Sequence, residues 1–326
     1  MSALAEPPVL DPADPTGESR VPPTRRSVIA RWRRAKRADD EVNGSGWGWL
    51  LVPPLLLLAT LLVASQALFI VGSFHRDLGL GRTASAWELR NYARVLTDGL
   101  YLQCLWITVK VSALATLGTL LLAYPVAYVI ARMRSRWAMV LLAGIVASTF
   151  ITIVVKVFGL MIIFAGNGLL NRSLVGLGIV AQPVKVLGTE QGVVIGLMQF
   201  TLGFGVLLLY SVVQTIPRSL EEAAQAHGAS RFRVFRRVLL PLSLPGLTVG
   251  GLMIFNMCMG AFTSAALLGG GRILTLPVLI QRTIMMEVKY SMAATLAVVL
   301  LAAVLFINLL SVLLMRRMRM GRRMIA

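Results

Sequence analysis

Long apolar runs alternate along this chain with short segments rich in arginine. A helix needs about 20 apolar residues to cross a hydrocarbon layer of about 30 Å, because each residue adds about 1.5 Å. Membrane β-strands would instead show about ten residues of alternating polarity, and no run here alternates in that way. The pattern predicts an all-α integral membrane protein with six spans, at about residues 47–74, 105–130, 137–164, 192–216, 245–268 and 292–314.

The basic residues favour one side of the predicted bundle. Both terminal tails and the second and fourth connectors together hold 21 of the 32 Lys and Arg. Positive residues concentrate on the cytoplasmic side of membrane proteins, so we expect both termini in the cytoplasm. We therefore divide the chain into a flexible basic tail (residues 1–46), a six-helix domain (47–315) and a basic C-terminal tail (316–326).

Composition supports a membrane protein. Apolar residues make up 57% of the chain and charged residues 14%, against about 25% charged in soluble proteins. The net charge of +18 would suit nucleic acid, but membrane orientation already explains the arginines.

The sequence holds no catalytic arrangement that we can identify. No lysine follows a glycine, so the Gly-Lys pair of a nucleotide-binding loop is missing. Cys104 and Cys258 suit small buried apolar positions, and His75 and His227 are too isolated to form a ligand set. We expect a protein that is not an enzyme by itself and that holds no metal or cofactor.

The fourth connector, residues 217–245, is the most informative segment. Ser219 followed by Glu222 is a capping-box pair, which predicts a helix starting at Leu220. Alanines then give that helix a nearly flat surface, and Gly228 can end it in a left-handed conformation.

A second helix is predicted from Ser230. The residues predicted on its apolar side are Phe232, Phe235, Val238 and Leu239, with arginines on the opposite side. Pro241 and Pro245 are predicted to separate this helix from the fifth span. Two interpretations stay open from the residues alone: the pair of helices is gripped by another protein, or it rests on lipid headgroups.

The connector resembles a known signature. Glu222-Ala223-Ala224, three residues, Gly228, nine residues and then Val238-x-Leu240-Pro241 is similar to the EAA motif of binding-protein-dependent ABC importer permeases, with their MetI-like transmembrane domain. The resemblance implies the type I importer permease fold, with a cytoplasmic coupling helix between helices 4 and 5. It also implies that the contacts with an ATPase are made by Glu222, Ala223, Ala224, Gly228, Leu240 and Pro241.

Further segments resemble the spermidine/putrescine-type permeases: Asn91-Tyr92, Tyr124-Pro125-Val126-Ala127-Tyr128, Gly168-Leu169-Leu170-Asn171, Ala261-Phe262 and Leu267-Leu268-Gly269-Gly270. The chain departs from that subfamily where Gly203 and Leu208 stand in place of common prolines, and where Ala226-His227 replaces Asp-Leu. The implied function is ATP-driven import of a small polar solute of polyamine type across a bacterial inner membrane, by alternating access.

That resemblance also implies partners. They are two subunits that bind ATP and Mg and hydrolyse the ATP, an extracytoplasmic solute-binding protein, and a second EAA-type permease, which the subfamily favours as a different chain. Glycines in spans 4 and 5 suit close helix packing, either against that second permease or within this chain: Gly203, Gly205, Gly250, Gly251 and Gly260.

Polar residues inside spans are candidates for a solute path, because they are costly there unless paired or hydrated. They are Gln199, Thr201, Asn256, Thr263 and Ser264, and each also fits a hydrogen bond between helices. Lys110 and Lys156, with no acid inside any predicted span, conflict with a polycationic cargo. Either the partner permease supplies the acids, or the cargo is a different small polar solute, for example an anion such as a phosphonate or an amino-acid derivative. An ion-coupled secondary transporter would need intramembrane acids, and a channel or membrane-assembly protein would leave the EAA spacing unexplained.

Overall fold

The first span is a continuous helix. In this computed structural model, which describes residues 46–79 and 82–323, the chain divides into two units, residues 1–65 and 66–326. Helix α1 (Gly46–Ser73) supplies the described part of the first unit. Its Leu51, Leu55 and Leu58 expose 61%, 62% and 57% of their surfaces, as suits side chains that contact lipid. The predicted basic N-terminal tail lies outside the described residues.

A small β-hairpin follows α1, and the sequence pattern did not predict it. Strands β1 (His75–Gly79) and β2 (Arg82–Trp87) pair antiparallel. The Asp77 carboxylate accepts the backbone N–H groups of Ser291 and Met292 at 3.0 and 2.9 Å. The hairpin therefore caps the first turn of the last helix, 214 residues further along the chain.

Two long helices form the centre of the second unit. After the short α2 (Arg90–Thr97), helix α3 (Gly99–Arg132) runs for 34 residues, about 51 Å, and therefore extends beyond the hydrocarbon layer. Helix α7 (Glu190–Gln214) packs along it. Their shared core includes Val111, Ala115, Val193 and Leu197, and the two cysteines are buried as predicted.

The predicted third span, residues 137–164, is wrong as a single helix. The structure has α4 (Trp137–Phe150) and α5 (Ile153–Phe164), separated by Ile151 and Thr152 in extended geometry with ψ of 128° and 140°. Each piece is shorter than the roughly 20 residues that a full crossing needs. Helix α6 (Leu169–Gly176) follows, and the buried Asn171 side chain holds the next connector through the backbone of Val184.

The predicted fifth span, residues 245–268, is wrong at both ends. Helix α8 (Arg218–Ala226), α9 (Arg231–Val234) and a π-helical turn (Phe235–Leu239) lead directly into α10 (Leu240–Met259). The chain then leaves helical geometry before α11 (Thr263–Leu268) and α12 (Leu276–Met285). The last helix, α13 (Tyr290–Arg323), continues past the predicted end at residue 314. Six helical segments of the described chain are long and apolar enough to span a membrane when Ile153–Gly176, which contains α5 and α6, is counted as one segment, and this confirms the predicted number of spans.

Most of the span glycines pack within this chain. A Cβ on Gly250 would meet the Leu208 side chain, and one on Gly205 would lie 3.0 Å from Thr119. The same holds at Gly203 against Thr149 and at Gly251 against Leu120, whereas Gly260 meets only a backbone oxygen at 3.9 Å. Helices α3, α4, α7 and α10 therefore approach one another closely at residues that have no side chain.

Candidate functional site: the α8–α9 helix pair and its attachment to α3

Helix α8 begins earlier than predicted, and the capping box is not formed. Its first residue is Arg218, and its N-cap is Pro217, with no side-chain hydrogen bond at the cap. Ser219 therefore lies inside the first turn, where its hydroxyl cannot serve as a cap. The Pro217 carbonyl instead accepts the N–H of Leu220 at 3.3 Å.

The end of α8 agrees with the prediction. Gly228 has φ +82°, in the left-handed region that favours glycine. The N–H of Ala229 reaches back to the Ala224 carbonyl at 3.1 Å, which closes the turn. Ser230 then caps α9 by accepting the N–H of Arg233 at 3.4 Å.

The α8–α9 pair presents a surface of small residues. Glu222, Ala223 and Gly228 are exposed, and Ala224 is half-buried. Nothing lies within 4 Å of the position that a Cβ on Gly228 would take. Of the other residues implied by the EAA resemblance, Leu240 packs on the buried cluster around α3 and α7, and Pro241 is half-buried beside it.

The amphipathic interpretation of the second helix needs two corrections. Phe232, predicted on the apolar side, is 72% exposed, and Val234 is buried instead. Pro241 and Pro245 do not separate this helix from the span either, because the Leu240 N–H bonds to the Phe235 carbonyl across the π-helical turn. The π-helical turn is wider than an α-helical turn, and it joins α9 to α10 without a break. Pro241, which has no N–H to donate, lies directly after this turn.

A buried carboxylate attaches α8 to α3, and sequence reasoning missed it. Glu221 exposes 7% of its surface. Its Oε1 lies 2.6 Å from Arg132 Nη2, and its Oε2 accepts the Tyr128 hydroxyl at 3.1 Å. The signature singled out the neighbouring Glu222, which is exposed, so the two adjacent glutamates have different environments.

Backbone contacts reinforce this attachment. Arg132, the last residue of α3, donates to the Ile216 carbonyl at 3.0 Å. Arg218, the first residue of α8, donates to the Ala131 carbonyl at 3.0 Å. Each arginine therefore donates to a carbonyl near the C-terminal end of a helix, Ile216 just after α7 and Ala131 in α3. Carbonyls at these positions lack partners within their own helix.

The predicted solute-path residues do not share one described cavity. Thr201 is buried, and its Oγ1 lies 2.9 Å from Thr119 Oγ1. Ser264 is buried and donates to the Gly196 carbonyl at 3.5 Å. Asn256 forms a reciprocal amide pair with Asn308 of α13, at 3.0 and 3.3 Å.

Gln199 differs from these three residues. Its side chain is half-buried, and its Oε1 is buried with no hydrogen-bond partner among the described residues. A buried acceptor without a donor is costly, so it indicates a missing partner. Thr263, at the start of α11, is half-buried.

The charge of one of the two span lysines is compensated. Lys110 Nζ lies 2.6 Å from Glu190 Oε2, at the first residue of α7. The prediction of a positive charge here overlooked Glu190, because that residue precedes the predicted span. Lys156 has no acidic side chain within 4.0 Å in the part of the chain that the structure describes.

Comparison with known proteins gives consistent results. Residues 105–320 match the family described as "Binding-protein-dependent transport system inner membrane component". The chain is 31% identical over 262 residues to the spermidine/putrescine transport system permease protein PotB of Haemophilus influenzae, covering 79% of this chain and 87% of that protein. It is 27% identical over 254 residues to the 2-aminoethylphosphonate transport system permease protein PhnU of Salmonella typhimurium, covering 77% and 86%.

The fold also resembles solved structures. A chain of a bacterial alginate ABC transporter, solved in complex with an alginate pentasaccharide-bound periplasmic protein, superposes with a TM-score of 0.70 at 17% identity. The match covers 88% of this chain and 97% of that one.

Proposed function

Because this chain belongs to the binding-protein-dependent transport system inner membrane components, we propose that α8 is the coupling helix through which a separate ATPase drives it. The chain is the permease subunit of an ABC importer and is not itself an enzyme. It is a multi-pass protein of the inner membrane.

The exposed small-residue surface of α8 carries this proposal. Ala223 and Gly228 leave room for close approach by another backbone, and Glu222 offers a carboxylate at the edge of that surface. Leu220 and Phe232 are 44% and 72% exposed, so each leaves an apolar side chain uncovered on the same pair of helices. Covering these side chains with a partner protein would be favourable. A flat surface with an aromatic anchor suits a protein cleft better than a layer of headgroups.

The arginine distribution supports an orientation with α8 and both termini in the cytoplasm. Two ATP-binding subunits then face α8 of this chain and its counterpart in a second EAA-type permease, a different chain. ATP and Mg bind on those subunits. An extracytoplasmic binding protein delivers the cargo from the other side.

Transport follows from two packed arrangements of the spans. ATP binding draws the two ATPase subunits together and pulls the coupling helices with them. The spans respond by opening outward to receive cargo, and hydrolysis returns them inward. ATP shifts this equilibrium only as far as it favours one arrangement over the other.

The cargo we propose is a small aminoalkyl solute of polyamine type. The two relatives are named for spermidine/putrescine and for 2-aminoethylphosphonate, and these compounds share a primary amine on a short alkyl chain. Ammonium groups donate hydrogen bonds, and Gln199 Oε1 is a buried acceptor without a donor among the described residues. The solute path that we propose includes Gln199, Thr201, Asn256, Thr263 and Ser264.

Lys156 favours a second candidate, a small anionic solute, because no acid pairs with it in the described chain. The two candidates are separated by adding polyamines, phosphonates or amino-acid derivatives to the cognate binding protein and measuring affinity. Substituting Gln199→Leu should raise the KM for uptake of an aminoalkyl cargo several-fold and leave basal ATP hydrolysis unchanged. An unaltered KM would remove Gln199 from the path.

Crosslinking tests the coupling helix directly. A cysteine at Ala223, which is exposed on α8, should crosslink to the co-expressed ATPase subunit, and ATP should change the yield. A cysteine at Ser135, exposed in the α3–α4 connector, is the matched control for reactivity. If position 223 crosslinks no better than position 135, α8 is not the docking helix. Uptake that persists on an ion gradient without any ATPase would identify a secondary transporter instead.

A further inference from the structure

Three side chains on the last turns of α3 form a regular row. Tyr124, Tyr128 and Arg132 are spaced by four residues, so they lie above one another on one face of the helix. The sequence resemblance included both tyrosines but gave them no role. We call Tyr124, Tyr128 and Arg132 the α3 ladder.

The α3 ladder contacts the α8–α10 segment at two places, Glu221 of α8 and Ser243 of α10. Arg132 pairs with Glu221 of α8 at 2.6 Å, and Tyr128 donates to the other oxygen of the same carboxylate at 3.1 Å. The Tyr124 hydroxyl lies 2.7 Å from Ser243 Oγ, one turn into α10. The α3 ladder therefore contacts the segment on both sides of the turn at Gly228.

An aromatic contact joins the two halves. The Phe235 ring meets Tyr124 edge-on, with centroids 5.4 Å apart and planes at 78°. It meets Tyr128 in the same way, at 6.2 Å and 71°. Phe235 opens the π-helical turn, so the turn that leads into α10 rests against the middle of the α3 ladder.

The Arg132–Glu221 pair differs from the other ion pairs of the described chain. Its side chains are 15% and 9% exposed, against 43% and 35% for Lys110–Glu190 and 46% and 42% for Lys289–Glu287. Exposed pairs are screened by water and contribute little. Removing one partner of a buried pair instead leaves a buried charge without compensation, so separating the two groups is costly.

We infer that the α3 ladder transmits movement from α8 to α3. When the ATPase subunit displaces α8, these contacts make α3 move with it. This inference rests on the function proposed for α8. The side chains act as positioning residues: they contact neither ATP nor cargo, but they fix α8 to the helix that packs along α7 through the membrane. Movement of α8 therefore reaches the spans through α3 as well as through the continuous chain of α10.

The test uses the whole reconstituted importer with its ATPase, binding protein and second permease. Arg132→Gln and Glu221→Gln should each lower the solute taken up per ATP hydrolysed by roughly tenfold, with assembly and basal ATP hydrolysis within about twofold of the unaltered protein. The double variant should be no worse than Arg132→Gln alone, because that substitution already removes both the ion pair and the contact of Arg132 with the Ile216 carbonyl. Tyr128→Phe, which keeps the ring on Phe235 and removes only the hydroxyl, should give a smaller loss.

Arg134→Gln is the matched control, because Arg134 is exposed in the α3–α4 connector, two residues after Arg132, and carries the same charge. It should transport like the unaltered protein. The exchanged pair, Arg132→Glu with Glu221→Arg, should recover part of the lost coupling. An Arg132→Gln variant that matches Arg134→Gln in uptake per ATP would overturn the inference.

A purely structural role would also overturn it. In that case assembly, ATP hydrolysis and uptake would fall in parallel, and uptake per ATP would stay constant. Failure of the proposed function gives a different result: the unaltered chain would bring down no ATPase at all.

Discussion

Gly228 has a role in the backbone and a second, proposed role at the surface, and substitutions can measure each. Its φ of +82° lies where an L-residue costs about 1–2 kcal/mol. A Cβ there would meet nothing within 4 Å, so no clash adds to that cost. Alanine also restricts the unfolded chain, which offsets about 0.4–1 kcal/mol. Gly228→Ala should therefore destabilise the protein by about 1 kcal/mol.

A matched glycine tests this estimate. Gly144, inside α4, would also place a Cβ with nothing within 4 Å of it, but its φ is not positive. Gly144→Ala should stabilise by up to about 1 kcal/mol, since alanine is the better helix former. Both variants are compared by reversible unfolding in mixed micelles with rising SDS content. Equal stability of the two variants would refute the argument from the left-handed backbone.

The surface role is tested by Gly228→Asn. Asparagine enters the left-handed region more readily than alanine, so stability should stay close to that of the unaltered protein. Its side chain would nevertheless stand on the exposed surface of α8. We expect weaker binding of the ATPase subunit in a pull-down titration and lower uptake. Unaltered binding would leave Gly228 with a role in the turn alone.

Three further contacts can be tested by substitution. Gly250→Ala should cost about 1–3 kcal/mol by pressing on the Leu208 side chain. Adding Leu208→Ala should recover much of that loss in the same SDS unfolding assay, and no recovery would refute the contact. Asn308→Leu should cost about 1–2 kcal/mol by leaving the Asn256 amide unpaired, and Asn256→Leu in addition should cost no more. Asp77→Asn should lower the thermal midpoint in detergent, with a loss of about 1 kcal/mol, since it removes the carboxylate that caps α13; an unchanged midpoint would show that the cap adds nothing.

The features that the sequence predicted well are local ones. Six spans follow from hydropathy summed over about 20 residues, a sum that tolerates errors of several residues at each end. The turn at Gly228 follows from the conformational freedom of one residue type. Neither depends on what the segment packs against.

The breaks and the hairpin depend on tertiary contacts. Ile151 and Thr152 interrupt the third span without a glycine or proline to mark the place. The hairpin strands are short and mostly polar, so they have no apolar alternation. The capping box failed for a related reason: the contact between Arg218 and the Ala131 carbonyl belongs to a helix start one residue before Ser219.

The attachment of α8 to α3 could not be identified from the motif alone. Glu221 and Glu222 are adjacent and chemically identical, and the signature singles out the second. Which carboxylate is buried depends on the rotation of α8 and on where α3 ends, far earlier in the chain. Only the folded arrangement brings Arg132 to Glu221.

The π-helical turn at Phe235–Leu239 sets the rotation of α9 relative to α10 about the helix axis. A π-helical turn is equivalent to one extra residue inserted into an α-helix, and each α-helical residue turns the chain by about 100°. Deleting a single residue there would let the helix close into ordinary α geometry. The α8 surface would then rotate by about 100° around the axis of α10, away from the position proposed for the ATPase subunit. Among homologous chains, the length of this turn should therefore vary less than its composition.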